Sequence, residues 1–167
     1  MSEDVGTPRW DAADFALSMA SPFVAAAGLV VDELSGTSVR GHLDLGPEHH
    51  TPWGIVHGGV YTSAVESAAS IGALAAVADC GEYAVGVHNA TDLIRASTCG
   101  RATLAAEPVH QGRTQQLWSV VIRDEQGRQL ARGQVRLHNI ARDRFSLLIG
   151  QHSFLVARPP STPLQRL

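Results

Sequence analysis

After residue 27 the chain alternates hydrophobic and polar positions with the period of two that half-buried β-strands show. Two strands are predicted first, over 29–31 and 39–45, with Ser35-Gly36 as the turn between them. Beyond a central segment, four further strands are predicted over 83–96, 101–110, 114–123 and 129–140. Asp124 to Gly127 is predicted to be a hairpin turn between the last two. We expect these four strands to form a meander.

The central segment, residues 60–78, lacks this alternation. It is rich in alanine and serine and contains no proline, a composition with good helix propensity. Its side chains are small and uncharged nearly all round, whereas a surface helix carries a polar stripe. A helix without a polar face is buried, and its small side chains let other backbone approach closely. The sequence therefore predicts an α+β domain in which a sheet wraps around one central helix.

The predicted core leaves a segment at each end of the 167-residue chain, whose length fits one domain of ordinary size. Residues 1–26 are predicted to be an N-terminal segment with a short helix over 11–19. Residues 27–141 form the core domain. Residues 142–167 form an appendage that passes through two prolines into a polar tail.

Composition narrows the class of protein. With 13 Lys and Arg against 16 Asp and Glu, the net charge of −3 argues against nucleic-acid binding or a basic membrane-binding patch. The acidic start has no signal-peptide pattern, and the apolar stretch 71–78 is shorter than the roughly 20 residues that a membrane span needs. Cys80 and Cys99 have no metal or redox spacing. These features predict a cytoplasmic protein, and its 17% of charged residues is low enough to favour an oligomer.

Glu66 is the first candidate for chemistry. It is the only Asp, Glu, Lys or Arg between Glu48 and Asp79, and it lies in the middle of the predicted buried helix. A buried, unpaired carboxylate costs several kcal/mol, and chains tend to keep one where it has a task. Ser70, four residues later, shares its helix face. The alternative is that Glu66 lies on a solvated strip or pairs with an arginine at a subunit interface.

A second candidate site is the start of the same helix, at His57-Gly58-Gly59. A helix N-terminus offers free N–H groups and the positive end of the helix dipole. Glycines there let a carbonyl oxygen approach the backbone closely, as an oxyanion site requires. Alternatively, the two glycines only make the turn before the helix. Glu66, about two helical turns beyond Gly59, favours a functional site.

The run Thr51-Pro-Trp-Gly-Ile-Val-His-Gly-Gly59, followed by Glu66, resembles the active-site segment of hotdog-fold acyl-CoA thioesterases. The most similar branch is that of the 4-hydroxybenzoyl-CoA and phenylacetate-pathway thioesterases. A later stretch, with Ala90-Thr-Asp-Leu-Ile-Arg95 and Gly112-Arg-Thr114, resembles the rest of that family's core. The resemblance implies that residues 27–141 form a hotdog domain. Its helix, from about Gly58 to Ala78, would be cradled by five or six antiparallel strands.

The resemblance also implies catalytic roles. Glu66 would attack an acyl thioester or activate water, and Ser70 would assist near this acid. The backbone N–H of Gly58 would bind the thioester oxygen, with His57 beside it. Thr51 stands where the family usually has Gln or Asn to orient the thioester or the water, so this role is open.

For binding, the resemblance implies that Gly59 contacts the substrate and that Gly112, Arg113 and Thr114 lie along the coenzyme A nucleotide. Coenzyme A would enter as part of an acyl-CoA substrate, and no metal or other cofactor is expected. The site would form between the subunits of a homodimer or homotetramer. The acyl group is not predicted.

Three alternatives remain beside this hypothesis. The first is a metal site at Glu48-His49-His50, near His57, although this run shows none of the usual zinc spacings. Asp44 and His49 loosely resemble the acid and histidine of hotdog enoyl-CoA hydratases, which would transfer protons instead of hydrolysing an ester. A non-catalytic acyl-CoA-binding protein would keep the pocket and lose turnover.

Overall fold

The computed structural model describes residues 22–144, so the helix predicted over 11–19 and most of the appendage 142–167 lie outside the described residues. Two complete α-helices and six strands are present in this part of the chain, and residues 142–144 are also helical. In chain order they are α1 (Pro22–Ala27), β1 (Leu29–Ser35), β2 (Ser38–Leu45), α2 (Gly58–Val77), β3 (Glu82–Leu93), β4 (Gly100–Gln111), β5 (Gln115–Arg123) and β6 (Gln129–Ala141). Short 3-10 turns at Pro47–His49 and Ala78–Cys80 precede and follow α2.

All six strands form one antiparallel sheet in the order β1-β2-β4-β5-β6-β3. The predicted meander is correct for β4, β5 and β6 but wrong for β3. β4 already pairs with β2 on one side and β5 on the other, so it has no free edge for β3. β3 instead pairs with β6 and forms an edge of the sheet.

Helix α2 lies against the sheet as the core helix, and its start agrees with the sequence prediction. Gly72 allows a close approach to the sheet, because a Cβ atom there would lie 2.6 Å from the Trp118 ring and 2.9 Å from Val39. The span 58–80 is long and apolar enough to cross a membrane, contrary to the estimate from residues 71–78 alone. Half of its most apolar 18-residue window is buried inside the protein, and its buried residues pack in the core, so its apolar character is that of a core helix.

Strand β3 contains a bulge that determines which of its residues face α2. The pairing register with β6 shifts between Gly86 and His88. Side chains normally alternate across a strand, so residues 86 and 89 would point to opposite faces. The extra residue at the bulge changes this alternation. As a result, Gly86 and Asn89 both face the central helix at the level of Glu66.

Candidate active site

The carboxylate of Glu66 is held between α2 and β3. Asn89 Nδ2 donates a 2.8 Å hydrogen bond to Glu66 Oε2, and Ser70 Oγ lies 3.4 Å from Oε1 and donates to it. Gly86 makes room for the carboxylate, since a Cβ atom there would collide with Oε1. Glu66 is half-buried, and no arginine pairs with it in residues 22–144. Among the described residues, Glu66 therefore has polar partners that orient it but no cation that neutralises it.

Asn89 is a residue that the sequence analysis missed. Its Oδ1 accepts a 2.7 Å hydrogen bond from Thr91 Oγ1, which directs the Nδ2 group toward Glu66. Nδ2 also lies 3.4 Å from the Thr62 carbonyl oxygen and donates to it. The one signal for Asn89 in the sequence is Gly86 within a predicted strand, because a strand glycine often marks a bulge.

The start of α2 is built around His57, which caps the helix. His57 Nδ1 accepts a 2.8 Å hydrogen bond from the Gly59 N–H, and the His57 N–H donates to the His49 carbonyl oxygen at 2.8 Å. In residues 22–144 the Gly58 N–H has no acceptor. Of the two glycines, Gly58 is thus the one whose amide is free to bind a substrate oxygen, because the Gly59 amide is already bonded to His57.

Thr51 closes a turn in the loop before α2. Its hydroxyl accepts a 3.3 Å hydrogen bond from the Trp53 N–H, and its backbone bonds to Ile55 and Gly54 at 2.7 and 3.0 Å. Thr51 therefore shapes the loop that leads to His57. A hydroxyl used in this way still has a proton to donate, so its role toward substrate or water stays a prediction.

Residues 112–114 lie in the turn between β4 and β5, where a buried amide network fixes them. Asn139 Nδ2 donates to the Gly112 and Arg113 carbonyl oxygens at 3.1 and 3.2 Å. Gln116, with 1% of its surface exposed, donates from Nε2 to Asn139 Oδ1 at 2.9 Å and to the Ala73 carbonyl oxygen at 3.0 Å. The network ties this turn, which includes Thr114, to the last part of α2, and the sequence analysis predicted neither amide.

The structure brings Ser70 to Glu66 and His57 to Gly59, but it keeps these two pairs apart within one chain. Eight residues separate Gly58 from Glu66, or about 12 Å along a helix. Ala73, where the 112–114 turn is tied, lies about 22 Å from Gly58 on the same scale. A single thioester carbonyl cannot contact both Gly58 and Glu66 of one rigid helix.

Asp44 and His49, the acid and histidine of the hydratase alternative, bond to different partners. Asp44 is exposed and pairs with Arg101 at 2.7 Å, and the hydrogen bond from Arg101 lowers the pKa of Asp44. His49 is buried and accepts from the Gly46 N–H at 3.2 Å. Asp44 and His49 therefore do not form a dyad; the close Asp–His contact in this region joins His42 Nδ1 to Asp32 Oδ2 at 2.8 Å. In residues 22–144, no three His, Cys, Asp or Glu side chains are grouped so that they could hold a metal ion.

Comparison with known proteins gives the class. The sequence profile of the thioesterase superfamily matches residues 54–131, the span that contains α2, Glu66 and Asn89. With the long helix in its six-stranded antiparallel sheet, this match defines a thioester hydrolase with the hotdog fold and confirms the fold predicted from the sequence.

Individual relatives agree with this class. The chain is 44% identical over 126 residues to Rv1847 of Mycobacterium tuberculosis, which is named as an esterase, with 74% of this chain and 90% of the relative covered. The Rv1847 structure superposes with a TM-score of 0.70 at 45% identity, covering 72% of this chain and 98% of the other. The chain belongs to the thioesterase superfamily.

Two more distant proteins carry thioesterase names. Proofreading thioesterase EntH of Cronobacter sakazakii is 31% identical over 101 residues, which cover 60% of this chain and 73% of EntH. A hypothetical thioesterase of Streptococcus pneumoniae, solved with coenzyme A, has a TM-score of 0.66 at 18% identity. That alignment covers 77% of this chain and 96% of the other, and it shows likeness of fold.

Proposed function

We propose that this protein hydrolyses an acyl-CoA to a free acid and coenzyme A, with Glu66 as the catalytic carboxylate. The observation that carries the proposal is the placement of Glu66, which is half-buried on the central helix and oriented by Asn89 and Ser70. An oriented carboxylate without a neutralising cation is free to act as a base or nucleophile. Acyl-CoA hydrolysis is a specific case of the thioester hydrolysis that defines the superfamily.

In the proposed reaction, the substrate carbonyl oxygen accepts a hydrogen bond from the Gly58 N–H at the positive end of α2. Glu66 takes a proton from water, and the hydroxide adds to the carbonyl carbon. The C–S bond then breaks, and the thiolate of coenzyme A leaves and takes up the proton that Glu66 had removed from water, which restores the carboxylate. As nucleophile, Glu66 would form an acyl anhydride that water cleaves. A thioester is already activated, so neither route needs a metal or redox cofactor.

We propose that each active site combines two chains of a homodimer or homotetramer. The gap of about 12 Å along α2 means that the Gly58 amide and the Glu66 carboxylate must come from different subunits to meet one carbonyl. Strand β3, which holds Asn89, has a free edge, and its Val87 and Leu93 are each 57% exposed. An unpaired edge with exposed apolar side chains favours association of copies.

The coenzyme A moiety is assigned to Gly112, Arg113 and Thr114. This turn is rigidly tied to β6 and α2, and Arg113 is an exposed cation suited to phosphate groups. The coenzyme A in the Streptococcus pneumoniae relative supports this ligand. Exposed thiols at Cys80 and Cys99 fit a reducing compartment, so we place the protein in the cytoplasm.

Replacing Glu66 with Gln tests the catalytic assignment. The change keeps the size of the side chain and removes the charge, so turnover of acyl-CoAs should fall by roughly 10² to 10⁴. Thiol release from aryl, short-chain and medium-chain acyl-CoAs is the assay, and Glu107→Gln, at an exposed acid paired with Arg40, is the control. An active Glu66→Gln protein with an altered oligomer would mean that Glu66 is structural. Binding of every ester without cleavage by the wild type would favour the acyl-CoA binder.

Replacing Gly58 with Pro tests the shared site, because it deletes one N–H at the first helical position, where proline is tolerated. His57 already has φ −66° and ψ 132°, a conformation that suits a residue before proline. We expect Gly58→Pro to lose activity. Gly58→Ala is the control, since it introduces the same contact with Leu93 but keeps the amide.

Mixing the two inactive variants then decides how the site is built. Refolding Gly58→Pro together with Glu66→Gln should restore part of the activity, because each mixed dimer has one site that combines an intact Gly58 with an intact Glu66. Absence of recovery in mixtures that form dimers by light scattering would show that each site lies within one chain.

A further inference from the structure

The inner side of β3 carries a row of side chains that lies along α2. After the bulge the strand alternates regularly, so Asn89, Thr91 and Leu93 point to the same side of the sheet. At one end of this row, Asn89 bonds to Glu66. At the other end, Leu93 contacts the start of α2 at Gly58. The row therefore leads from the proposed catalytic carboxylate to the amide that is proposed to bind the thioester oxygen.

Leu93 occupies the space that a side chain at position 58 would take. A Cβ atom on Gly58 would collide with Leu93 Cδ1. The backbone of Gly58 does not itself require glycine, because it is helical and its φ is not positive. Glycine at this position thus leaves room for the Leu93 side chain, which is still 57% exposed.

Helix geometry places Leu93 beside the Gly58 N–H. The Cα–Cβ bonds of a helix tilt toward its N-terminus, and the free N–H groups of the first turn point the same way. Because Leu93 Cδ1 lies where the Cβ atom of residue 58 would be, it borders the space into which this N–H points. A ligand oxygen on the Gly58 amide therefore has an apolar methyl group next to it.

A thioester bound at this amide brings its acyl group close to Leu93. The N–H···O distance is about 2.9 Å, and the C=O bond is about 1.2 Å long. The carbon that follows the carbonyl, C2, then lies no more than about 5 Å from the Gly58 nitrogen. Leu93 Cδ1 contacts the residue that carries this nitrogen, so a methyl branch at C2 would compete with Leu93 for the same space.

We propose that Leu93 is a specificity-determining residue, which contacts C2 of the acyl group and restricts the enzyme to acyl groups without a branch at that carbon. The inference rests on the proposed acyl-CoA hydrolysis and names the class of acyl group. Leu93 and Gly58 belong to the same chain, so the contact is the same whichever chain supplies Glu66. Branches further along the acyl chain are not restricted by this contact.

The test compares isomeric acyl groups that differ only in the position of a branch. Pentanoyl has no branch, 2-methylbutanoyl is branched at C2 and 3-methylbutanoyl at C3. Each is presented as a CoA thioester for hydrolysis and as a ketone analogue, with CH2 in place of sulfur, for calorimetry. Wild-type protein should prefer pentanoyl to 2-methylbutanoyl in both assays. The effect of the branch on chemical reactivity is the same for every variant, so it cancels when ratios of kcat/KM are compared between variants.

Variants at Leu93 identify the side chain that detects the branch. Leu93→Ala should lower the preference for pentanoyl over 2-methylbutanoyl by about three- to tenfold. A methylene in a closed pocket changes specificity by roughly 10- to 200-fold, and the effect here is smaller because the exposed Leu93 can partly turn aside. Leu93→Asn keeps the size of the side chain and should keep the preference. Val109→Ala is the matched control, because Val109 is also 57% exposed but lies on β4, which β5 and β6 separate from β3.

An unchanged ratio in Leu93→Ala would overturn the proposal, and so would an equal change for 3-methylbutanoyl. A loss of preference in Leu93→Asn as large as in Leu93→Ala would refute a steric restriction. Light scattering and thermal melting check each variant. If Leu93→Ala does not fold or changes its assembly, Leu93→Val, which shortens the side chain and stays apolar, is measured instead.

The two assays also separate this inference from the proposed hydrolysis. Discrimination between the ketone analogues that depends on Leu93, without cleavage of any thioester by the wild type, would refute hydrolysis but keep the contact. Cleavage of the thioesters with ratios that do not depend on Leu93 would refute the contact and keep hydrolysis.

Discussion

Removal of the Asn89 amide tests how the catalytic carboxylate is positioned. In Asn89→Leu, Glu66 loses the 2.8 Å hydrogen bond to Oε2 and keeps only Ser70 at 3.4 Å, near the limit of useful geometry. A hydrogen bond to a charged group contributes about 1.5–3 kcal/mol. If that energy holds the carboxylate in its reactive position, kcat should fall by about 10- to 100-fold, since 1.36 kcal/mol corresponds to tenfold.

Asn89 bonds to Glu66 and would not contact the substrate, so KM should change little in Asn89→Leu. Two smaller perturbations give a graded comparison. Thr91→Val removes the bond that directs the Asn89 amide, and Ser70→Ala removes the long bond to Oε1. Both are neutral donors, so we expect effects of about tenfold or less for Thr91→Val, and a smaller effect for Ser70→Ala.

The assay is steady-state thiol release, with thermal melting of each variant to detect unfolding. The decisive measurement is a double-mutant cycle with Glu66→Gln. If Asn89 serves only the carboxylate, Asn89→Leu should cost no further activity once Glu66 is Gln, because the interaction is already lost. A full additional loss in the double variant, or a rise in KM with constant kcat, would refute the positioning role.

Two further predictions concern packing around α2. Gly72→Ala should destabilise the protein by about 1–3 kcal/mol in urea unfolding, because the buried Trp118 ring and Val39 cannot easily move away from the added methyl group. A stability equal to wild type would show that the ring can shift. Asn139→Leu frees the turn at Gly112 and Arg113, so KM should rise more for acyl-CoAs than for acyl-pantetheines, which lack the nucleotide. Equal changes for both substrates would argue against nucleotide contacts at this turn.

The local structure was largely predictable from the sequence. The start of α2 was predicted at Gly58, because a run of small residues without proline has one favourable conformation. The strands were predicted from alternation to within a few residues of their observed ends, except where β1 extends to Ser35. The position of β3 was not predictable in this way, since pairing with β6 depends on residues about 50 positions later in the chain.

In the site too, features of the local sequence were predictable and contacts between distant residues were not. Glu66 and Gly58 were identified because each departs from its local pattern, as one acid in an apolar helix and as a glycine at a helix start. Asn89 was missed because only the register shift after Gly86 turns it toward α2. Gln116 was missed because its side chain is polar, although it alternates in phase with the buried Trp118, Val120 and Ile122 and this phase was a signal for its burial. Its partners, Ala73 and Asn139, come together only in the folded sheet.

The distance between α2 and the sheet links the packing of the core to the chemistry of the site. At Gly72 the helix approaches Trp118 more closely than any side chain would permit, and at Gly86 the sheet leaves room for the Glu66 carboxylate. Both contacts bring helix and sheet together, and the hydrogen bond from Asn89 to Glu66 spans the same gap at 2.8 Å. A helix that is lifted by one methyl group would lengthen that bond. The small residues of the core helix therefore do more than fill space, because they set the distance at which the carboxylate meets the strand that orients it.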